Sequence, residues 1–144
     1  MTRYVSRIPV DDEYADMLGH VLYNFAYAEW VVVYLGSLID PSFLRRGAGN
    51  DSRAIADAFT TIVQGTKSLD LIALADRFHA AEVKRVEFLR ATPITGALGA
   101  QILYDSGASP IKQWTLEEVT AYAEELEGLA IDGNALYYKT KPSS

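Results

Sequence analysis

Residues 21–39 read VLYNFAYAEWVVVYLGSLI, and Glu29 is the only charge among them. Leu18, Val21, Phe25, Ala28, Val32, Leu35 and Ile39 recur at 3-4-3-4-3-4 spacing, the signature of an apolar seam along one face of an α-helix. Tyr23, Tyr27, Trp30 and Tyr34 form a second line spaced 4-3-4. Tyr23 lies about 200° around the helix from Phe25. The helix is therefore apolar on nearly opposite sides. One side builds a core, and the other calls for a further surface. A like subunit supplies that surface most simply, and a covering loop is the alternative. The stretch approaches the roughly 20 residues that span a bilayer. Glu29 and Asn24 near its middle, the scattered tyrosines and the acidic flanks argue against a span, so no membrane partner is expected.

Outward from this helix, Pro9, Asp11 and Asp12 supply N-terminal chemistry. Asp40 and Pro41 end it, and residues 45–50 (RRGAGN) read as a glycine-containing loop. Asp51 or Ser52 caps a second helix carrying Ile55, Phe59, Ile62 and Val63, which Gly65 stops. Ser68 caps a third helix running to about Arg90. Pro93 and Gly96 break the chain. Residues 95–112 read as irregular, with short extended pieces at Gln101–Tyr104 and Lys112–Trp114. Thr115-x-x-Glu118 matches a capping box that opens the last helix, whose apolar face is Leu116, Val119, Ala123, Leu126 and Ala130. Lys139 to Ser144 is a polar tail expected to fray. The expectation is an all-α four-helix bundle with an irregular insertion before the last helix, one domain over residues 1–144.

Composition narrows the function classes. The chain has 144 residues, 49% apolar and 22% charged, enough to bury a core. No cysteine is present, which removes disulfides, thiolate metal sites and cysteine nucleophiles and fits a reducing cytoplasm. The first twenty residues lack a basic region followed by an apolar run, so no signal peptide is read there. The formal net charge is −6, so RNA contact would need a local basic patch within an acidic whole. The two histidines, His20 and His79, have no metal-ligand spacing, and neither metal nor cofactor is expected.

Three positions depart from the pattern. Glu29 sits inside the apolar stretch, and a buried carboxylate needs a partner. Arg85 lies in line with Leu74, Phe78, Ala81 and Phe88, so it points inward or to an interface, where an unpaired guanidinium is costly. Glu29 and Arg85 are natural partners. Either they form an ion pair that fixes packing, or Arg85 is held to meet a phosphate. Arg90 ends the third helix, where Lys84, Arg85 and Arg90 make a basic terminus. Cations favour that position on electrostatic grounds alone.

The order of features carries a resemblance. Leu18-Gly19 and Phe25-Ala26-Tyr27-Ala28-Glu29-Trp30 stand on the first helix. Ala75-Asp76-Arg77-Phe78 and Arg85 follow on the third. Pro93-x-Thr95, Gly99-x-Gln101-x-Leu103-Tyr104 and Trp114-Thr115 complete the series. This order resembles bacterial proteins of the HEPN superfamily, helical bundles that include metal-independent ribonucleases. The resemblance implies a homodimer, RNA or nucleotide as ligand, and an antitoxin or operon partner in phage defence. Its nuclease motif is an arginine, a polar residue, and a histidine a few positions later. The histidine helps activate the ribose 2′-hydroxyl and the arginine meets the phosphate. Here Arg85 keeps the arginine, Val86 stands at the polar position and Arg90 at the histidine position. Valine has no side-chain hydrogen bond to offer, and arginine stays protonated at neutral pH.

Three functions follow. One is a catalytically impaired HEPN-like dimer that keeps a binding site at Lys84, Arg85 and Arg90, with Tyr23, Tyr27, Trp30 and Tyr34 at its interface. The second is a ribonuclease with a rearranged site using Arg85 and a histidine from elsewhere. The third is a structural or protein-interaction module, recognised by an Arg85 fully taken up by Glu29 and by the lack of an open basic cleft.

Overall fold

The computed structural model describes residues 4–108 and 110–143. The first helix, α1, runs Asp12–Ile39. A short α2 spans Phe43–Gly49, α3 Ser52–Gln64 and α4 Leu69–Arg90. Three strands follow, β1 Thr92–Thr95, β2 Gln101–Asp105 and β3 Lys112–Trp114, and then α5, Leu116–Thr140. The chain is mostly helical, and the short extended pieces expected at Gln101–Tyr104 and Lys112–Trp114 are strands of a small antiparallel sheet, ordered β1-β2-β3, before the last helix.

The core is the seam of α1 packed along α5, with α3 lying along α4 and also touching α1. Val21, Phe25, Ala28, Val32 and Leu35 are buried with Phe59 and Val63 of α3, Leu74 and Phe78 of α4, and Val119 and Leu126 of α5. By length and apolarity alone α1 is long enough to cross a membrane, and its buried residues build this core. Capping follows the sequence chemistry at three helices. Asp51 accepts from the Ala54 N–H, Ser68 from Leu71 and Thr115 from Glu118. Asp11 occupies the N-cap of α1 without a side-chain cap bond.

Two expectations are revised. The supposed loop 45–50 is largely α2. Asp40 Oδ1 accepts from both the Ser42 N–H and hydroxyl, turning the chain, and Phe43 is fully buried against Gly36. The glycines serve close packing here: a Cβ at Gly47 would meet Val33 at 2.8 Å. The tail is also more helical than expected, since α5 reaches Thr140; Ser144 lies outside the described residues.

The insertion is organised by a hairpin. Thr92 pairs with Tyr104 and Thr95 with Gln101, and Gly99 turns the connection at φ +82°. Pro93 is tolerated because β1 is an edge strand. Tyr14 of α1 ties the sheet to the bundle: its hydroxyl donates to the Trp114 carbonyl and accepts from the Leu103 N–H. Leu103 and Trp114 are register partners, so one phenol fixes β2 and β3 together. Burial raises the Tyr14 pKa, with the Leu103 bond opposing, and keeps the phenol protonated.

Candidate functional site

The hairpin carries the chain back to the end of α4. Asp105, at the end of β2, therefore stands beside Arg90. Arg90 donates to Asp105 Oδ2 at 2.9 Å, while Asp105 Oδ1 accepts from the Gly107 N–H at 2.9 Å. The Asp105 side chain is 2% exposed. The Arg90 hydrogen bond holds its carboxyl below the usual carboxylate range, with Gly107 adding to the effect against burial, and Asp105 in turn raises Arg90. At the position expected for a catalytic histidine, the structure holds a charged guanidinium paired with a carboxylate.

Arg85 projects about 140° away from Arg90 around α4. Its guanidinium lies 4.9 Å from the Phe25 ring centroid and 3.5 Å from Glu82 Oε1. The expected Glu29–Arg85 pair is not formed; Glu82, one turn earlier on the same helix, takes Glu29's place. Glu82 is buried, and its other oxygen faces Arg53 of α3 at 3.6 Å. Glu29 Oε2 is buried without a hydrogen-bond partner. Lys84 turns to α5, donating to Glu125 at 2.8 Å beside the Tyr122 ring. Burial pushes the Tyr122 phenol well above its ordinary pKa, and its hydroxyl donates to the Ala81 carbonyl. Val86 is exposed.

The three cations therefore face three different elements, each against a carboxylate, and share no patch. His79 sits against Asp57 at 3.4 Å, and Asp57 also meets Arg53. A chain of ion pairs through Asp57, Arg53 and Glu82 links His79 to Arg85. His20 lies on another face, lining a groove of about 530 Å³ with Tyr23, Asn24, Tyr27 and Glu127. Among the described residues no three His, Asp or Glu side chains are grouped to hold a metal ion.

The aromatic line presents a different surface. Tyr23, Tyr27, Trp30 and Tyr34 are all exposed, Tyr23 at 70% and Trp30 at 48%. Tyr27, Trp30 and Tyr34 line a second groove of about 320 Å³ with Tyr137 and Tyr138 of α5. The two grooves adjoin, sharing Tyr27 and Asn134. Ring contacts hold the wall: Trp30–Tyr34 at 5.8 Å and Tyr34–Tyr137 at 6.3 Å between centroids.

Sequence reasoning missed Glu82 and Asp105. Glu82 had a signal, because Leu71, Ala75, Phe78, Glu82 and Arg85 recur at 4-3-4-3 spacing along the inner face of α4. Asp105 had none, because its place depends on hairpin register. Comparison of the chain with protein-family models, curated proteins and solved structures finds no match.

Proposed function

We propose that this chain is a HEPN-like helical domain that does not cleave RNA and works by binding protein through the aromatic α1/α5 face. The observation that carries this reading is the pairing of each of the three cations at the basic end of α4 with a carboxylate: Lys84 with Glu125, Arg85 with Glu82 and Arg90 with Asp105. A nuclease of the expected kind needs a neutral base and a cation free to meet phosphate. Val86 and Arg90 offer no base, and the acidic partners oppose a polyanion. A binding role for RNA or nucleotide at these cations is the weaker reading for the same reason. The second nuclease reading, with a borrowed histidine, loses support because His79 projects about 120° away from Arg85 around α4 and His20 lies in the aromatic groove. A cytoplasmic homodimer is the assembly and setting this reading favours.

The test is incubation of purified protein with mixed RNA, beside a Val86→Asn/Arg90→His double variant. Neither protein should cleave, because Glu82 still holds Arg85 in the variant. Cleavage by the wild type overturns the reading. Cleavage by the double variant alone shows a nuclease site that two substitutions had silenced.

A further inference from the structure

Trp30 and Tyr34 stand one turn apart on α1, and Tyr137 and Tyr138 are neighbours on α5. The two helices come close because Gly133 lies against Val31, where a Cβ would meet the valine at 2.7 Å. The rings of α5 are thereby brought beside those of α1, and with Tyr27 they wall a groove of about 320 Å³. That volume falls at the lower end of the range of small-molecule sites. We propose that this groove is a cage for a small organic cation whose head is a quaternary ammonium group. This goes beyond the reading of the face as a protein-binding surface and does not depend on it.

Ring geometry selects the shape of the ligand. Trp30 is tilted 37° to Tyr34, Tyr34 stands at 67° to Tyr137, and Tyr137 at 84° to Tyr138. Successive ring centroids are 5.8, 6.3 and 5.4 Å apart. Parallel rings would sandwich a flat ligand. Rings set at steep angles instead enclose a compact, rounded one. Each ring face carries the negative part of its quadrupole and attracts a cation within about 6 Å of the centroid. At these spacings one tetrahedral head group meets several rings at once.

Charge and hydrogen bonding narrow the class further. Among the residues lining this groove and the adjoining one, neither lysine nor arginine is present, and Glu127 is the one acid. The net charge of −6 draws cations to the molecule and disfavours anions. A primary ammonium or a guanidinium brings several N–H donors that need acceptors, and the two grooves offer them a single carboxylate. A quaternary ammonium donates no hydrogen bond and is held by ring faces alone. The adjoining groove, of about 530 Å³, opens past Tyr27 and Asn134 toward His20 and Glu127. Its polar lining suits a hydroxylated tail, so the ligand is a cation carrying such a tail rather than a bare ion.

The cage is separate from the cations of α4. Tyr27, Trp30 and Tyr34 sit about 140–180° around α1 from Phe25, the residue that Arg85 covers. A ligand in the groove therefore has no contact with Arg85, and its binding is measured independently of any RNA chemistry.

The chain has two tryptophans, Trp30 in the cage and Trp114 fully buried elsewhere in the core, and each reports separately by its indole N–H resonance. Choline is titrated into isotopically labelled protein, beside its uncharged isostere in which a tert-butyl group replaces the trimethylammonium. Choline should move the Trp30 signal and leave that of Trp114 in place. It should bind about tenfold tighter than the isostere, a difference of the size that cation–π contact supplies. Tyr34→Ala and Tyr138→Ala should each weaken choline about fivefold or more, with the Trp114 resonance unchanged as the sign that the variant is folded. Equal affinity for the two compounds overturns the proposal, and so does a Trp30 signal that choline leaves in place. Binding of a peptide carrying trimethyllysine, with none of choline, also overturns it, because the cation would then be a protein side chain. Each of these results leaves the RNA test standing, and RNA cleavage by the wild type sinks the functional reading while sparing the cage.

Discussion

Glu82 is a carboxylate buried among hydrophobic side chains, facing Arg85 at 3.5 Å and Arg53 at 3.6 Å. Removing one member of such a group strands the others. Arg85 is only 24% exposed and already has an unpartnered Nε, so Glu82→Ala leaves a half-buried cation without an anion. Because the pairs are long and Arg53 is half exposed, the loss should be about 2 kcal/mol, below the ~3–5 kcal/mol of a fully buried pair. Urea denaturation of the two proteins measures it, and an unchanged midpoint would show that Glu82 does not hold Arg85. Asp105 makes a different, pH-dependent prediction. Its folded pKa lies below the ordinary value near 4, because Arg90 and the Gly107 N–H favour the carboxylate. Its contribution is therefore fully present above about pH 4 and fades as pH falls through the depressed folded value. Asp105→Asn should lower Tm at neutral pH, and the gap to the wild type should close on acidification. A gap constant with pH would contradict the ionic origin. At this scale the sequence was half legible. The inward placement of Arg85 followed from helical spacing, but its partner was sought on another helix when the nearer acid stood one turn away.

Helix boundaries and caps are legible because they rest on local chemistry. Asp51, Ser68 and Thr115 each accept the backbone bond their positions invite. What depends on packing between elements is not legible. Nothing local in residues 43–49 distinguishes α2 from a loop, since its helical state comes from burying Phe43 beneath α1. Likewise β1 hides behind Pro93 until a partner strand is available to place it at an edge. The α1–α5 contact shows the same dependence in its glycine. A Cβ at Gly133 would meet Val31 at 2.7 Å and Leu74 at 3.4 Å, so a methyl group there pushes α5 off α1 and α4. Alanine is the better helix former by roughly 0.8–1 kcal/mol. Overpacking of a tight core costs ~1–3 kcal/mol. The steric term should win, and Gly133→Ala should be destabilised by about 1 kcal/mol, read from thermal melts. A stabilised variant would mean that the helices can separate slightly without loss.

For the whole molecule, salt separates association from nucleic-acid binding. An acidic protomer that self-associates on a face nearly free of charge gains apolar burial and loses electrostatic energy to its own copy. Added salt screens that repulsion, because the Debye length shrinks from ~30 Å at 0.01 M to ~3 Å at 1 M. Apolar contact is not weakened by the same screening. The dimer should therefore tighten with rising sodium chloride, and its Tm should rise with protein concentration at fixed salt, since association stabilises only the folded chain. A surface that works by meeting phosphates behaves oppositely: released counterions make affinity fall steeply as salt rises. Sedimentation across a salt series therefore tests what the carboxylates paired with Lys84, Arg85 and Arg90 imply. Association that weakens with salt would place charge, not the tyrosine and tryptophan line, at the interface. A Trp30→Glu variant should lose both the concentration dependence and the salt response, which ties the two effects to one face of α1.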